Sequence, residues 1–454
     1  MPKLMSPIEA EPLSKDQPSS GRDRYAGARG TRPPEEPGAG WLAALWLDGF
    51  FRAPLRTAEG RAVAVLQPGL PEKPGSLRLI EAVLAFDGGP GLRGAVTVGA
   101  VQEEGETPLA RIVWRGKAGD VPQIALEDNL LAPWAEVGDL IDPLMDVENE
   151  EENRTDAPGA EAMPADALLP LLEAAGAYRL RRRARRLAWR IAAVGVEQAV
   201  WEGVAEALGY GGNQVPFRHL ARRLPLAYLT ALSEGEREAL LFGVAGFLPD
   251  GDVGKLPPPA REALKPLWEA WWPMRAGLDY AVLPAEAWSR FRIRPANRPE
   301  RRLAALSRLV PQIPRLVRAV ERRDPAIVGR ICAECHDPFW SRHAAWTGKT
   351  SAKPSRLVGD DRADDLILNL FWPLVSLREP HGPAEALAAL AAMPGGSNRA
   401  VRDRAAAWGL PPKACRSALV QQGILQVGRD LEGPTPFRPP GGLAGMAGRL
   451  LSAA

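Results

Sequence analysis

The spacing of apolar residues changes partway along this chain, and that change limits the folds open to it. Up to residue 135 they recur in twos. Between Leu77 and Phe86, Ile80, Ala82, Leu84 and Phe86 alternate with Leu79, Glu81, Val83 and Ala85, which gives a strand one fully apolar face. Arg61 to Leu66, Leu92 to Val101, Leu109 to Trp114 and Val121 to Leu126 are further short runs of this kind, separated by Pro- and Gly-containing turns. A tryptophan-rich segment, Trp41 to Phe51, precedes them and reads as a helix laid on the sheet. Beyond residue 166 the period is 3.6. Leu180, Ala184, Leu187, Ile191 and Val194 share one helix face, and Arg181, Arg182, Arg183, Arg185, Arg186 and Arg190 cover the rest. Glu136 to Asp156, with Glu148, Glu150, Glu151 and Glu152, separates the two patterns as a self-repelling linker.

The expected fold class is therefore α+β: a small N-terminal antiparallel or mixed β-sheet domain with a helix, followed by a larger all-α domain. The expected divisions are a disordered tail over 1–40, a β-rich domain over 41–135, an acidic linker over 136–165, a helical domain over 166–432 and a flexible Pro/Gly-rich tail over 433–454. The early residues fit no export signal, and no stretch reaches the roughly 18 uninterrupted apolar residues of a spanning helix, so the expectation is a cytoplasmic protein without a membrane partner. Three cysteines in 454 residues make no disulfide framework, and a formal charge of +2 gives no global field that would mark a nucleic-acid binder. A basic role must be local.

Within the helical part, Gly209 to Leu226 organises its neighbours. A glycine-rich turn leads to Asn213 as an expected N-cap, then to a helix whose Phe217, Leu220, Ala221 and Leu224 lie on one face and whose Arg218, Arg222 and Arg223 lie on the others. Its apolar face is expected against a preceding helix, Val196 to Leu208. Further on, Trp268, Trp271, Trp272 and Trp288 read as core. Asn297 with Glu300 spells a capping box for a helix running to Leu309. In the apolar helix Asp364 to Pro373, Asp365 and Asn369 lie one turn apart and need partners, with Arg294 or Arg302 the expected donor to Asp365.

The catalytic spellings are weak. Cys332-Ala-Glu-Cys335-His336 matches a haem-attachment motif without an export signal, and as a zinc site with His343 it offers poor tetrahedral geometry; a packed cysteine pair is the simpler reading. Gly348-Lys349-Thr350 lacks the first glycine and the strand of a phosphate-binding loop. No metal site and no cofactor are expected.

Four segments carry a family resemblance: Glu206 to Pro225, Arg294 to Leu303, Asp364 to Pro373 and Gln421 to Leu425. Together they resemble a bacterial family of uncharacterised proteins, domain of unknown function 2851. The likeness covers most of the chain after residue 41, including Leu55 to Arg61, Pro68-Gly69 and Arg93-Gly94. It implies a nuclease-like, metal-binding arrangement of carboxylates and histidines on the strands. This chain departs from it: the corresponding strand reads Gly94-Ala-Val-Thr-Val-Gly99, Gln102 to Thr107 replaces a histidine loop, and no cysteine follows Cys415. Ala, Thr and Gly supply no equivalent ligands for a divalent ion.

The expected function is thus that of a non-catalytic binding or scaffold protein, a pseudoenzyme with no catalytic residues, whose basic helical surface meets a nucleic acid or an acidic protein. Arg182, Arg186, Arg218, Arg222, Arg294, Arg298 and Arg302 are the expected binding residues, and Asn213, Asn297, Asp365 and Asn369 are structural polar groups. The alternative is a divergent metal-dependent nuclease-like hydrolase that uses Glu81.

Overall fold

The computed structural model describes residues 39–51, 54–72, 76–101, 109–116, 123–124, 126, 130, 165–209, 212–249, 253–276, 278, 281–290, 293–432 and 442–452. The acidic linker, the Gln102 to Thr107 loop and the first 38 residues lie outside them. A helix, α1 (Ala39–Asp48), packs on an antiparallel sheet of strands β1 (Leu55–Arg56), β2 (Ala62–Gln67), β3 (Leu70–Pro71), β4 (Arg78–Phe86), β5 (Leu92–Val101), β6 (Leu109–Gly116) and β7 (Gln123–Ile124). The order is β1-β2-β4-β5-β6-β7, with β3 also on β4. Leu42, Leu45 and Trp46 of α1 are fully buried against Leu55, Val63, Leu84 and Val96, which closes the sheet's inner face as the period-two pattern requires.

The expected alternation along β4 needs one correction. The register of β4 on β5 shifts between Leu79 and Ala82, and Glu81 takes φ 57° there. One extra residue in a strand moves everything before it to the other face. Leu79, not Ile80, therefore joins Ala82, Leu84 and Phe86 in the core under α1.

The helical part begins with the 30-residue α2 (Ala165–Val194), then α3 (Val196–Leu208), α4 (Gln214–Arg223), α5 (Leu226–Thr230), α6 (Glu234–Val244) and α7 (Pro258–Arg275). It continues with α8 (Pro299–Leu309), α9 (Ile313–Glu321), α10 (Pro325–Ala333), α11 (Asp360–Leu366), α12 (Trp372–Val375), α13 (Gly382–Ala392), α14 (Arg399–Ala407), α15 (Ala418–Glu432) and α16 (Gly442–Ser452). The expected boundaries of α3 are met, and Phe217, Leu220, Ala221 and Leu224 are all at most 1% exposed against it and its neighbours. Burying each of the three larger side chains, Phe217, Leu220 and Leu224, contributes about 1.5–3 kcal/mol.

Several local expectations are overturned. Asn213 precedes α4 but caps nothing. Its amide is buried and donates to the Ser289 carbonyl while accepting from the Ser289 N–H, both at 2.8 Å, so tertiary pairing replaces the cap. Asn297 sits in a 3-10 turn rather than at an N-cap; Arg298 holds that position, and Asn297 accepts from Arg302 at 2.6 Å. Trp271 and Trp288 are core, but Trp272 is 50% exposed. The tail expected to be flexible contains α16, whose Leu443, Met446, Ala447 and Leu450 are buried in a second helical core with α2, α14 and α15.

Between α11 and α12, Ile367–Phe371 forms a π-turn. Pro373 has no N–H for the Asn369 carbonyl and its ring would crowd that oxygen, so the chain widens and the Trp372 N–H reaches back to the Ile367 carbonyl. Among the described residues, no helix is long and apolar enough to cross a membrane.

Candidate functional site

Where the end of α1 meets α2, α3, α4 and the π-turn, a half-open cavity of about 390 Å³ is lined by charged side chains from five elements. Three turns of α2 contribute Arg183, Arg186 and Arg190, spaced so that they share a face. Glu202 and Glu206, four apart on α3, confront Arg218 and Arg222, four apart on α4. Arg362, Asp365 and Asn369 line the wall from α11 and the π-turn.

Ion pairs fix this wall. Arg190 grips Glu202 with two bonds, at 2.7 and 2.8 Å, and Arg222 reaches the same carboxylate at 3.2 Å. Arg218 lies 3.3 Å from Glu206 and 3.1 Å from Asp48, and Arg186 lies 2.9 Å from Asp48. Arg222 also donates to the Leu47 and Asp48 carbonyls, which satisfies the free end of α1. Burial works to raise the Asp48 carboxyl, but the charges of Arg186, Arg218 and Arg222 outweigh it and hold Asp48 well below the usual carboxylate range. The same contest leaves Glu202 and Glu206 lowered. His219, on α4 behind this network, is fully buried. Burial and the neighbouring arginines push its imidazole well below its ordinary value, and its Nε2 has no hydrogen-bond partner among the described residues.

Of the arginines expected to bind, the structure brings Arg186, Arg218 and Arg222 together here. Arg182 lies on α2 outside the lining, exposed Arg294 and half-buried Arg298 lie ahead of α8, and Arg302 is buried, donating to the Leu357 carbonyl and to Asn297. Asp365 is corrected too: its partner is Arg362, three residues before it, not Arg294 or Arg302. The arginine run on α2 is not simply a solvated face, since half of its six members turn into the cavity.

Asp48, Arg183, Arg190, Glu202, Glu206 and Arg362 were missed as site residues. The matched i,i+4 pairs Glu202/Glu206 and Arg218/Arg222 were a usable signal, because two complementary pairs on consecutive helices can face each other across one turn. Asp48 carried none, since its role depends on where α1 ends relative to helices far along the chain.

Elsewhere, Cys332 and Cys335 are buried and burial pushes both thiols up to about 12, while the His343 ring is engaged by the Phe339 carbonyl and Thr350. Among the described residues, no three His, Cys, Asp or Glu side chains converge where a metal could sit. Glu81, the carboxylate of the hydrolase alternative, lies 3.0 Å from Arg93.

No curated protein and no solved structure matches the chain. One family model does, over residues 115–393, a narrower span than the likeness read from residue 41, and it takes in α2 to α4, α11 and the π-turn. It covers more than half of the 454 residues, and the chain belongs to that family of proteins of unknown function, DUF2851.

Proposed function

We propose that this protein is a non-catalytic binding protein that takes an anionic partner in the arginine-lined cavity between its sheet and its helices. The observation that carries this reading is the charge of the wall. Six arginines face four carboxylates, which leaves two positive charges in a half-enclosed space where low dielectric strengthens attraction for an anion. A small anion suits the site better than a long nucleic acid, because Arg186, Arg190, Arg218 and Arg222 are already held by acids. The nuclease-like alternative is the weaker reading, since Arg93 engages Glu81.

Calorimetric titration of the full chain with inorganic pyrophosphate and with a single-stranded oligonucleotide, at low and raised salt, tests the proposal. Pyrophosphate, which carries no condensed counterion layer, is expected to bind with a shallow log K against log salt slope, and Arg362→Gln is expected to weaken it. A slope several units steeper for the oligonucleotide, with tighter binding than pyrophosphate, would favour the nucleic-acid partner instead. If neither ligand binds at low salt, the protein is not an anion binder at this site.

A further inference from the structure

Three polar groups in the cavity wall have hydrogen-bonding capacity that the described residues leave unused. The Arg183 guanidinium donates to Gln422 at 2.9 Å and has no carboxylate within ion-pairing distance among the described residues. The Asn369 side-chain amide, half-buried on the π-turn, has no partner among them, and neither has the Trp189 indole N–H. These unpaired atoms are open to solvent rather than sealed in the wall, which leaves them able to meet a ligand, and π-turns often occur where a side chain serves one.

Their arrangement distinguishes two ends. Arg183 and Asn369 are at the end where α2 passes α11 and the π-turn, beside Asp365 and Arg362. Trp189 stands six residues further along α2, about 9 Å by helix rise, near Phe50 and the core beneath α1. One end is cationic, and the wall at the other holds the Trp189 indole, which also packs on the core beneath α1.

Resting on the anion-binding reading above, we propose that the cavity binds a phosphate monoester carrying a planar ring system, a molecule of the nucleoside monophosphate class. Its phosphate meets Arg183 and Asn369, and its ring lies against Trp189. A phosphate monoester carries about −1.5 to −2 charges near neutral pH, which matches the two surplus positive charges of the wall, and a singly charged carboxylate does not. The cavity falls at the small end of the roughly 300–1,000 Å³ range of ligand pockets, so it suits a single nucleotide rather than a strand.

The test is titration of the full chain with AMP, adenosine and inorganic phosphate, read by calorimetry and by tryptophan fluorescence beside Trp189→Phe. AMP is expected to bind at least about tenfold more tightly than either fragment, as two joined contacts should. It is also expected to change an emission component that Trp189→Phe lacks. Arg183→Gln is expected to lower AMP affinity about tenfold, the loss of one charge-assisted contact, and to leave adenosine unaffected. Arg183 also bonds α15, so Asn369→Ala is the second variant, and the same selective loss is expected from it. If pyrophosphate binds but AMP is no tighter than phosphate, or if both variants leave AMP affinity unchanged, the nucleotide inference falls and anion binding stands. If pyrophosphate, AMP and the oligonucleotide all fail to bind, both readings fall together.

Discussion

Glu238 and Asp337 are buried side by side, and one guanidinium serves both. Arg308 lies 2.7 Å from Asp337 but 3.6 Å from Glu238, and it also meets Glu234. Burial, and then the Asp337 charge, pushes the Glu238 carboxyl up to about 8, against the Trp340 indole N–H that donates to it at 3.1 Å. An acid raised on folding binds its proton more tightly in the native state. Its contribution is intact below the ordinary value of 4.5 and is lost as pH climbs from there through about 8. Glu238→Gln should therefore leave the melting temperature nearly unchanged at pH 5 and raise it at pH 8.5. Thermal melts of both proteins across that range check this, and a variant less stable at pH 8.5 would refute it. Nothing in Ser233-Glu-Gly-Glu-Arg-Glu238 announces the pairing, because Asp337 is about a hundred residues away. The capping box on Ser233 and Glu236 is by contrast written in the local sequence, and it forms.

At the scale of elements, α2 and α15 pack through reciprocal glycines. A Cβ on Gly176 would press into the Leu419 carbonyl, and one on Gly423 into the Leu172 carbonyl. The obstacle at each position is backbone, which cannot swing aside as a side chain can. Gly423→Ala should cost roughly 1–3 kcal/mol, despite the better helix propensity of alanine, because overpacking outweighs the gain of up to about 1 kcal/mol from propensity. Urea unfolding measures the difference, and a more stable alanine variant would show that the helices can part. The helices were legible from periodicity, as the span of α3 and the buried face of α4 show. Two kinds of feature were not. The bulge at Glu81 depends on how β4 pairs with β5, and the capping roles of Asn213 and Asn297 were displaced by a distant partner, Ser289, and by Arg302 on the following helix. A short polar side chain goes to the strongest partner that the assembled fold offers, and for Asn213 that partner lies 76 residues along the chain.

At the scale of the molecule, Asp48 is where the sheet module is fastened to the helices. Its carboxylate pairs with Arg186 and Arg218, and the adjoining carbonyls take Arg222. Asp48→Asn removes one charge from a buried cluster and leaves two guanidiniums under-compensated, a loss on the order of 3 kcal/mol at pH 7. Because the Asp48 carboxyl is depressed on folding, its contribution is present above the ordinary value of 3.8 and is lost as pH falls below it. The gap between variant and parent should narrow in that acidic range. Equal stability at pH 7 would show that the joint holds without this charge. The sequence alone determined the two-part α+β plan, the helix over 196–208, the apolar face of Gln214–Arg223 and the family, because these depend on periodicity and on residues close together in the chain. Only the tertiary structure decided which arginines act together. Arg294 and Arg302 look equivalent to Arg218 and Arg222 in one dimension. Burial and the placement of Asp48, Glu202 and Glu206 turn the second pair toward the cavity and leave Arg302 spent on a backbone carbonyl and Asn297. Electrostatic roles depend on distances between charges, and those distances exist only once the chain has folded.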